Sequence, residues 1–437
     1  MNSRSGKKLR LTGSIFALTT LAVLVLSWRT YAEVKPGDFI TPANATKVQD
    51  LLSPGVYYKV LNGMTMKIVP SQRVDWPPPY KDATQKYSGQ VRLTDDHRSL
   101  LGYVAGQPFP LIDPNDPYAG TKIVWNLVYK PFYSDDYDLR FYDCDTAYQA
   151  EGAQTKQVEY FQIGHYMGYN LVGRTEVEPL PIDPDFKMTH RLWIFGLYPV
   201  LAPMEIRGVG FIRWRYDGAN RADDIWSIGS GSRRVRRIEA ISSLSAPSED
   251  SAAFTWDPDH YSGFNGKTEE YKYKLLGEKN MLATVHAEHS PEVRCATDGG
   301  VSACPEAWEI RHMYILEATP RPGMVNAIDS RTVLYEDSEV WFNPYIDSYD
   351  GGGRLIRSHI YWVAYRDRPV PDARVAIYPF KRLFVVGAVS TDVQLGQATM
   401  CYLPGIQTPE RECWYINLGA VDKNVFTTDA LARAAIR

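Results

Sequence analysis

Hydrophobic and polar positions alternate most clearly between Arg207 and Ile238, in the stretch RGVGFIRWRYDGANRADDIWSIGSGSRRVRRI. Two strand-like runs, 208–216 and 221–228, each end at a cluster of turn residues, DGAN and GSGS. A third, basic run follows the second turn. This pattern predicts a meander of three antiparallel strands.

Large side chains occupy both faces of the first predicted strand. Because successive side chains of a strand point to opposite faces, Ile212, Trp214 and Tyr216 share one face and the arginines share the other. We predict that this aromatic face, with Trp226 from the next strand, forms the wall of an apolar cavity for a lipid-like ligand. The alternative is an ordinary aromatic core.

The third run carries four arginines, Arg233, Arg234, Arg236 and Arg237. One interpretation is a solvated edge strand whose charges discourage pairing with other chains. The other is a site at the rim of the cavity that binds an anionic lipid head group or an acidic partner.

The rest of the chain favours a mostly β protein. Further strands are predicted at 56–61, 64–69, 122–129, 137–142, 158–164, 191–200, 308–319, 332–337, 340–349, 354–365 and 382–387. Asn62-Gly63 predicts a hairpin between the first two of these. Helices are predicted after Thr41, over Tyr80–Tyr87 and from Thr428. No fixed repeat or low-complexity linker divides residues 33–437, which we interpret as a single domain, with a split near residue 245 as the alternative.

The first 32 residues have the pattern of a secretory signal peptide. A basic segment ending at Arg10 precedes a short apolar segment, Ile15–Ser27, and Thr30-Tyr31-Ala32 resembles a cleavage site. Cleavage after Ala32 would remove five positive charges and no negative ones, and would change the net charge from −3 to −8. We therefore expect an exported, acidic protein rather than a nucleic-acid binder. An uncleaved membrane anchor is the alternative.

All five cysteines follow the predicted cleavage site. Export to an oxidising compartment favours disulfides between cysteines that are close in sequence. We predict the pairs Cys295–Cys304 and Cys401–Cys413, with Cys144 free. A metal site that combines Cys295 and Cys304 with His286 and His289 is the alternative, but the spacing fits no compact zinc module.

No catalytic signature is present. The sequence has no Gly-x-Ser-x-Gly elbow and no phosphate-binding loop. Asp223 and Asp224 point to opposite faces of a strand and cannot act together on one bond. The sequence therefore predicts neither an enzyme nor a cofactor or metal site, although an exported hydrolase with residues brought together in space is a third, weaker alternative.

Four segments together resemble the DUF1329 family. They are YVAGQPFPLIDPNDP (103–117), RWRYDGANRADDIWSI (213–228), WEIRHMYILEATPR (308–321) and RTVLYEDSEVWFNPYIDSYDGGGRLIR (331–357). The family is similar in fold to the periplasmic lipoprotein carriers LolA and LolB. The resemblance implies a strongly curved antiparallel half-barrel with helices in or over its concave face.

The same resemblance implies a function in the cell envelope. We expect a periplasmic (Gram-negative) binding or carrier protein for a lipid or other hydrophobic molecule, acting in outer-membrane transport. An inner-membrane exporter of the resistance-nodulation-division type and an outer-membrane protein are the implied partners. The alternative is a structural subunit that bridges those two partners and binds no ligand.

Overall fold

The structure of the chain is a computed structural model. It describes residues 34–149, 155–229, 232–238, 260, 263–287, 306–322, 329–369, 376–403 and 414–435. The predicted signal peptide lies outside these residues, as do Cys295, Cys304 and His289. Among the described residues, no helix is both long enough and apolar enough to cross a membrane.

Nineteen strands and five α-helices are found in the described residues. The strands are β1 (Phe39–Ile40), β2 (Met66–Ile68), β3 (Arg92–Leu93), β4 (Leu100–Leu101), β5 (Asp136–Gln149), β6 (Thr155–Asn170), β7 (Arg191–Leu197), β8 (Val200–Ala202), β9 (Gly210–Tyr216), β10 (Asp224–Gly229), β11 (Ser232–Ile238), β12 (Tyr271–Ala283), β13 (Glu306–Pro320), β14 (Arg331–Asp337), β15 (Phe342–Tyr349), β16 (Leu355–Arg366), β17 (Arg382–Asp392), β18 (Gln397–Tyr402) and β19 (Trp414–Ile416). The helices are α1 (Pro54–Leu61), α2 (Pro78–Tyr87), α3 (Ala119–Val128), α4 (Asp185–Thr189) and α5 (Thr428–Ala434). Short 3-10 helices include Pro42–Leu51, Thr268–Glu270 and Lys423–Phe426.

One long antiparallel sheet organises the molecule, which confirms the mostly β prediction. Its strands lie in the order β12-β13-β14-β15-β16-β17-β18-β5-β6-β7-β9-β10-β11. The predicted meander is β9-β10-β11 at one end. Within the described residues β11 and β12 do not pair with each other, so the sheet is open.

The two ends of the sheet approach each other. Thirteen flat strands would extend over about 55–60 Å at the usual spacing. Yet the segment 263–270, which leads into β12, contacts β9 at the other end: Arg215 Nη1 donates to the Gly266 carbonyl over 3.4 Å, and Lys267 Nζ donates to the Tyr216 carbonyl over 3.3 Å. The sheet is therefore curved, and one hydrophobic core includes residues of both ends, such as Phe211 and Tyr273.

Two predicted strands are helices, and both predictions were wrong for physical reasons. In α1, Pro54 begins the helix and the Ser53 hydroxyl caps it by accepting from the Val56 amide over 3.2 Å. In α3, eight of the ten residues are buried, including the polar Thr121 and Asn126, so polar positions do not mark a solvent-facing side of a helix. Predicted helices are confirmed at Tyr80–Tyr87, now α2, and from Thr428, now α5; the one after Thr41 is a 3-10 helix.

Candidate functional site

The aromatic face of the meander is covered by the C-terminal segment. Ile212 is fully buried in a small second core that also contains Phe426 and Leu431. Trp214 donates its indole N–H to the Phe426 carbonyl over 3.0 Å and contacts the Trp226 ring, with centroids 4.2 Å apart. The C-terminal segment therefore packs against this face of β9.

Tyr216 is also buried on this face. Its hydroxyl donates to the Asp224 carboxylate over 2.6 Å, and the Arg221 guanidinium lies 3.4 Å from its ring centroid. None of the four predicted wall residues, Ile212, Trp214, Tyr216 and Trp226, lines the cavity described next, which lies on the opposite face of the sheet. Their shared face was predicted correctly, but its covering element lies about 200 residues later in the chain.

A cavity lies on the other face of the same strands. It is enclosed by the end of α3, the strands β5, β6, β7 and β9, and the segment 264–269. Its empty space is about 870 Å³, including the solvent at its mouth. The lining residues are Trp125, Val128, Tyr129, Lys130, Tyr133, Tyr137, Tyr166, Asn170, Leu192, Trp193, Arg215, Phe264, Asn265, Gly266, Thr268 and Glu269.

Aromatic rings form most of the cavity's apolar surface. The rings of Tyr137 and Tyr166 are stacked, with centroids 5.8 Å apart, and Tyr133 meets Tyr137 edge-on at 5.5 Å. Burial raises the pKa of Tyr133 and of Tyr137 above the ordinary tyrosine value, so their hydroxyls stay neutral at physiological pH. The aromatic part of the wall is therefore apolar, with a few uncharged hydroxyls.

Polar groups in the wall are mostly held by protein partners. The Arg215 guanidinium forms an ion pair of 2.9 Å with Asp223. Burial alone would raise the pKa of Asp223, but Arg215 and Arg213 hold it below its ordinary value. The Asn170 side-chain amide donates to the Tyr133 and Ser134 carbonyls over 2.9 Å each. These contacts fix both side chains in place.

Lys130 differs from these groups. It follows α3 directly and lines the cavity. Burial lowers the pKa of Lys130 to about 8, and Glu336 opposes this shift. The ammonium is thus still mostly charged at neutral pH. Sequence reasoning missed Lys130, because nothing in the local pattern distinguishes it from a solvent-exposed lysine.

The predicted rim arginines lie elsewhere. Arg234 and Arg236 are exposed on β11, at an edge of the sheet, and Arg237 forms an ion pair with Asp224. None of these three lines the cavity. The side chain of Arg233 is outside the described residues.

The cysteine pairing differs from the prediction. Cys144 on β5 and Cys401 on β18 lie directly opposite each other, with their Cα atoms 4.1 Å apart, and form a disulfide. The predicted Cys401–Cys413 pair and the free Cys144 were therefore wrong, because sheet pairing joins cysteines 257 residues apart. Cys413 lies outside the described residues, and so does the predicted pair Cys295–Cys304. Among the described residues, no group of three or more His, Cys, Asp and Glu side chains could hold a metal ion.

Comparison with known proteins identifies the family. The model described as protein of unknown function (DUF1329) matches residues 39–432. The chain belongs to the DUF1329 family. The resemblance seen in the four sequence segments is thereby confirmed.

Relatives and solved structures with similar chains are known. An uncharacterized protein of Pseudomonas aeruginosa is 23% identical over 419 residues, which cover 93% of this chain and 83% of that protein. A DUF1329 family protein from Desulfovibrio piger is 17% identical, with a TM-score of 0.42 over 73% of this chain and 99% of that one. A candidate outer membrane lipoprotein-sorting protein domain from Vibrio parahaemolyticus is 15% identical, with a TM-score of 0.47 over 73% of this chain and 100% of that one.

Proposed function

We propose that this DUF1329 protein is a periplasmic binding or carrier protein for a lipid or other hydrophobic molecule. The observation that carries the proposal is the aromatic cavity between α3 and the strands β5, β6, β7 and β9. Its lining is like that of small-molecule sites, which are formed mainly by apolar side chains with a few placed polar groups. Burial of the ligand's apolar surface, at about 25 cal/mol per Å², would drive binding.

The architecture supports the proposal. In a half-barrel, a curved open sheet leaves a concave face that helices cover only in part. Here the sheet curves so that the segment 263–270 reaches β9. Gly120 of α3 lets this helix approach the backbone of β12 closely.

Two observations support the periplasm as the compartment. The first is the signal-peptide pattern in residues 1–32. The second is the disulfide Cys144–Cys401, because disulfides persist in oxidising compartments.

The test is to identify what the protein carries. The protein is purified from its native periplasm without detergent, extracted with organic solvent, and the extract is analysed by mass spectrometry against a mock purification. We expect one chemical class of hydrophobic molecule at a near-stoichiometric amount. An extract that matches the mock, together with no saturable binding of any alkyl probe, would contradict the proposal and favour the bridging subunit.

A further inference from the structure

The positive charge of Lys130 has no ion-pair partner within the described residues. Its ammonium forms no hydrogen bond or salt bridge there, although it lies in the cavity wall. Arg215, the other cation of the wall, is neutralised by Asp223 at 2.9 Å. The cavity wall therefore contains one cationic group that, within the described residues, forms no ion pair and lies beside an apolar surface.

Two acidic side chains are candidate counter-ions for Lys130: Glu336, which interacts with it electrostatically, and Glu269, which lines the cavity. Glu336 on β14 is fully buried and accepts a hydrogen bond from the Asn343 side-chain amide; burial raises its pKa well above the ordinary glutamate value. Glu269 accepts from the Ser99 hydroxyl over 3.1 Å, and burial raises its pKa too. Within the described residues neither carboxyl lies within ion-pair distance of the Lys130 ammonium, and Glu336 acts on it only as a more distant charge.

Among the described residues that line the cavity, Glu269 is the one carboxyl group. The other titratable groups around the cavity come from α3 and the residues after it, from β5, β6 and β9, and from the segment 264–269. The titratable and charged members are Tyr129, Tyr133, Tyr137, Tyr166, Arg215 and Glu269. The tyrosines for which burial raises the pKa include Tyr129, Tyr133 and Tyr137.

We propose that the cavity takes an amphiphile with an anionic head group, a carboxylate or a phosphate ester, which binds the Lys130 ammonium. The alkyl part would lie against the rings of Tyr137, Tyr166 and Trp193. A hydrogen bond between ions is stronger than one between neutral groups, and the low dielectric of a closed cavity strengthens it further. This inference rests on the proposed function and adds the chemical class of the ligand.

The test compares three probes with the same chain length: dodecanoate, dodecyl phosphate and dodecanol. Affinities are measured by calorimetry at about pH 6.5 and about pH 10, on either side of the Lys130 pKa. At the lower pH we expect at least one anion to bind roughly tenfold tighter than dodecanol or more. The preference should shrink at the higher pH, because Lys130 then loses its charge, while dodecanol binding stays constant.

Lys130→Met should lower the affinity for the anions to that for dodecanol, and circular dichroism shows whether the variant is folded. Lys47→Met, at an exposed position, is the matched control and should keep the wild-type preference. Tighter binding of dodecanoate than of dodecyl phosphate would indicate a fatty-acid-like ligand, and the reverse a phosphate ester.

Equal affinity for all three probes would overturn the head-group inference and leave the proposed function intact. An anion preference that survives in Lys130→Met would also overturn it. Failure of every probe to bind would count against the proposed function itself.

Discussion

Asp347 is a carboxyl group that the fold buries completely. Its two oxygens accept hydrogen bonds from the Gly55 amide over 2.9 Å and from the Ser358 hydroxyl over 2.8 Å. Burial raises the pKa of Asp347 to about 6, although these hydrogen bonds oppose the shift. The ionised form is therefore tolerated at neutral pH but costs free energy.

Stability should depend on pH through this residue. In the unfolded chain the pKa of aspartate is about 3.9, so the contribution of Asp347 to stability is complete below about pH 4 and is lost as the pH rises through about 6. A shift of about two units corresponds to about 3 kcal/mol. Asp347→Asn stays neutral, so the free energy of unfolding of the variant relative to wild type should rise between pH 4 and pH 6. Urea denaturation across this range tests it, and a difference independent of pH would contradict the assignment.

At the scale of single residues, the sequence predicts which side chains share a face of β9. It does not predict which face borders the cavity. The alternation in 210–216 correctly groups Ile212 with Trp214, and Phe211 with Arg215. It could not show which group faces the cavity, because an aromatic face is stable against any apolar cover, and α5 supplies one. Arg213 and Arg215 were not expected on the cavity side of the sheet. They are stabilised there by the Asp223 carboxylate and by carbonyls of the segment 263–270.

At the scale of elements, strands were easier to predict than helices. Long alternating segments such as β13 and the β15–β16 hairpin agree with their predicted positions within a few residues. α1 and α3 were missed because short apolar runs fit a buried strand and a buried helix equally well. Their state is decided by packing, α1 against β15 and β16, and α3 against β12.

Close approach of α1 to the sheet requires Gly55. A Cβ added there would lie 2.1 Å from Ser358 Oγ and 2.2 Å from Asp347 Oδ1. Gly55→Ala should therefore destabilise the protein by about 1–3 kcal/mol, despite the higher helix propensity of alanine. Gly89→Ala is the matched control, since a Cβ at Gly89 meets nothing within 4 Å. Chemical denaturation of both variants measures the difference; equal stabilities would show that α1 does not dock as described.

At the scale of the whole molecule, the Cys144–Cys401 disulfide joins β5 to β18 at the centre of the long sheet. These strands connect the earlier and later halves of the chain. Sequence spacing could not identify this pair, because long-range strand pairing is a property of the complete topology. Five cysteines allow many pairings. Closeness in sequence favoured Cys413 as the partner of Cys401, and that pairing was wrong.

Peptide mapping without reduction should recover a cross-linked pair of peptides that contain Cys144 and Cys401. Cys144→Ser and Cys401→Ser should each lower the free energy of unfolding by about 2–4 kcal/mol, and the double variant should lose little more than either single one. A Cys401–Cys413 peptide, or additive losses in the double variant, would contradict this pairing.

The central claim is that the ligand site lies on the Trp193 face of the sheet and not on the Trp226 face. Both tryptophans are half-buried on neighbouring parts of the same sheet, so Trp193→Ala and Trp226→Ala form a matched pair. The deciding measurement is the affinity of each folded variant for dodecanoate by calorimetry. We predict a loss of about tenfold or more for Trp193→Ala and an almost unchanged affinity for Trp226→Ala. A loss confined to Trp226→Ala would place the site on the face that α5 covers and contradict the account.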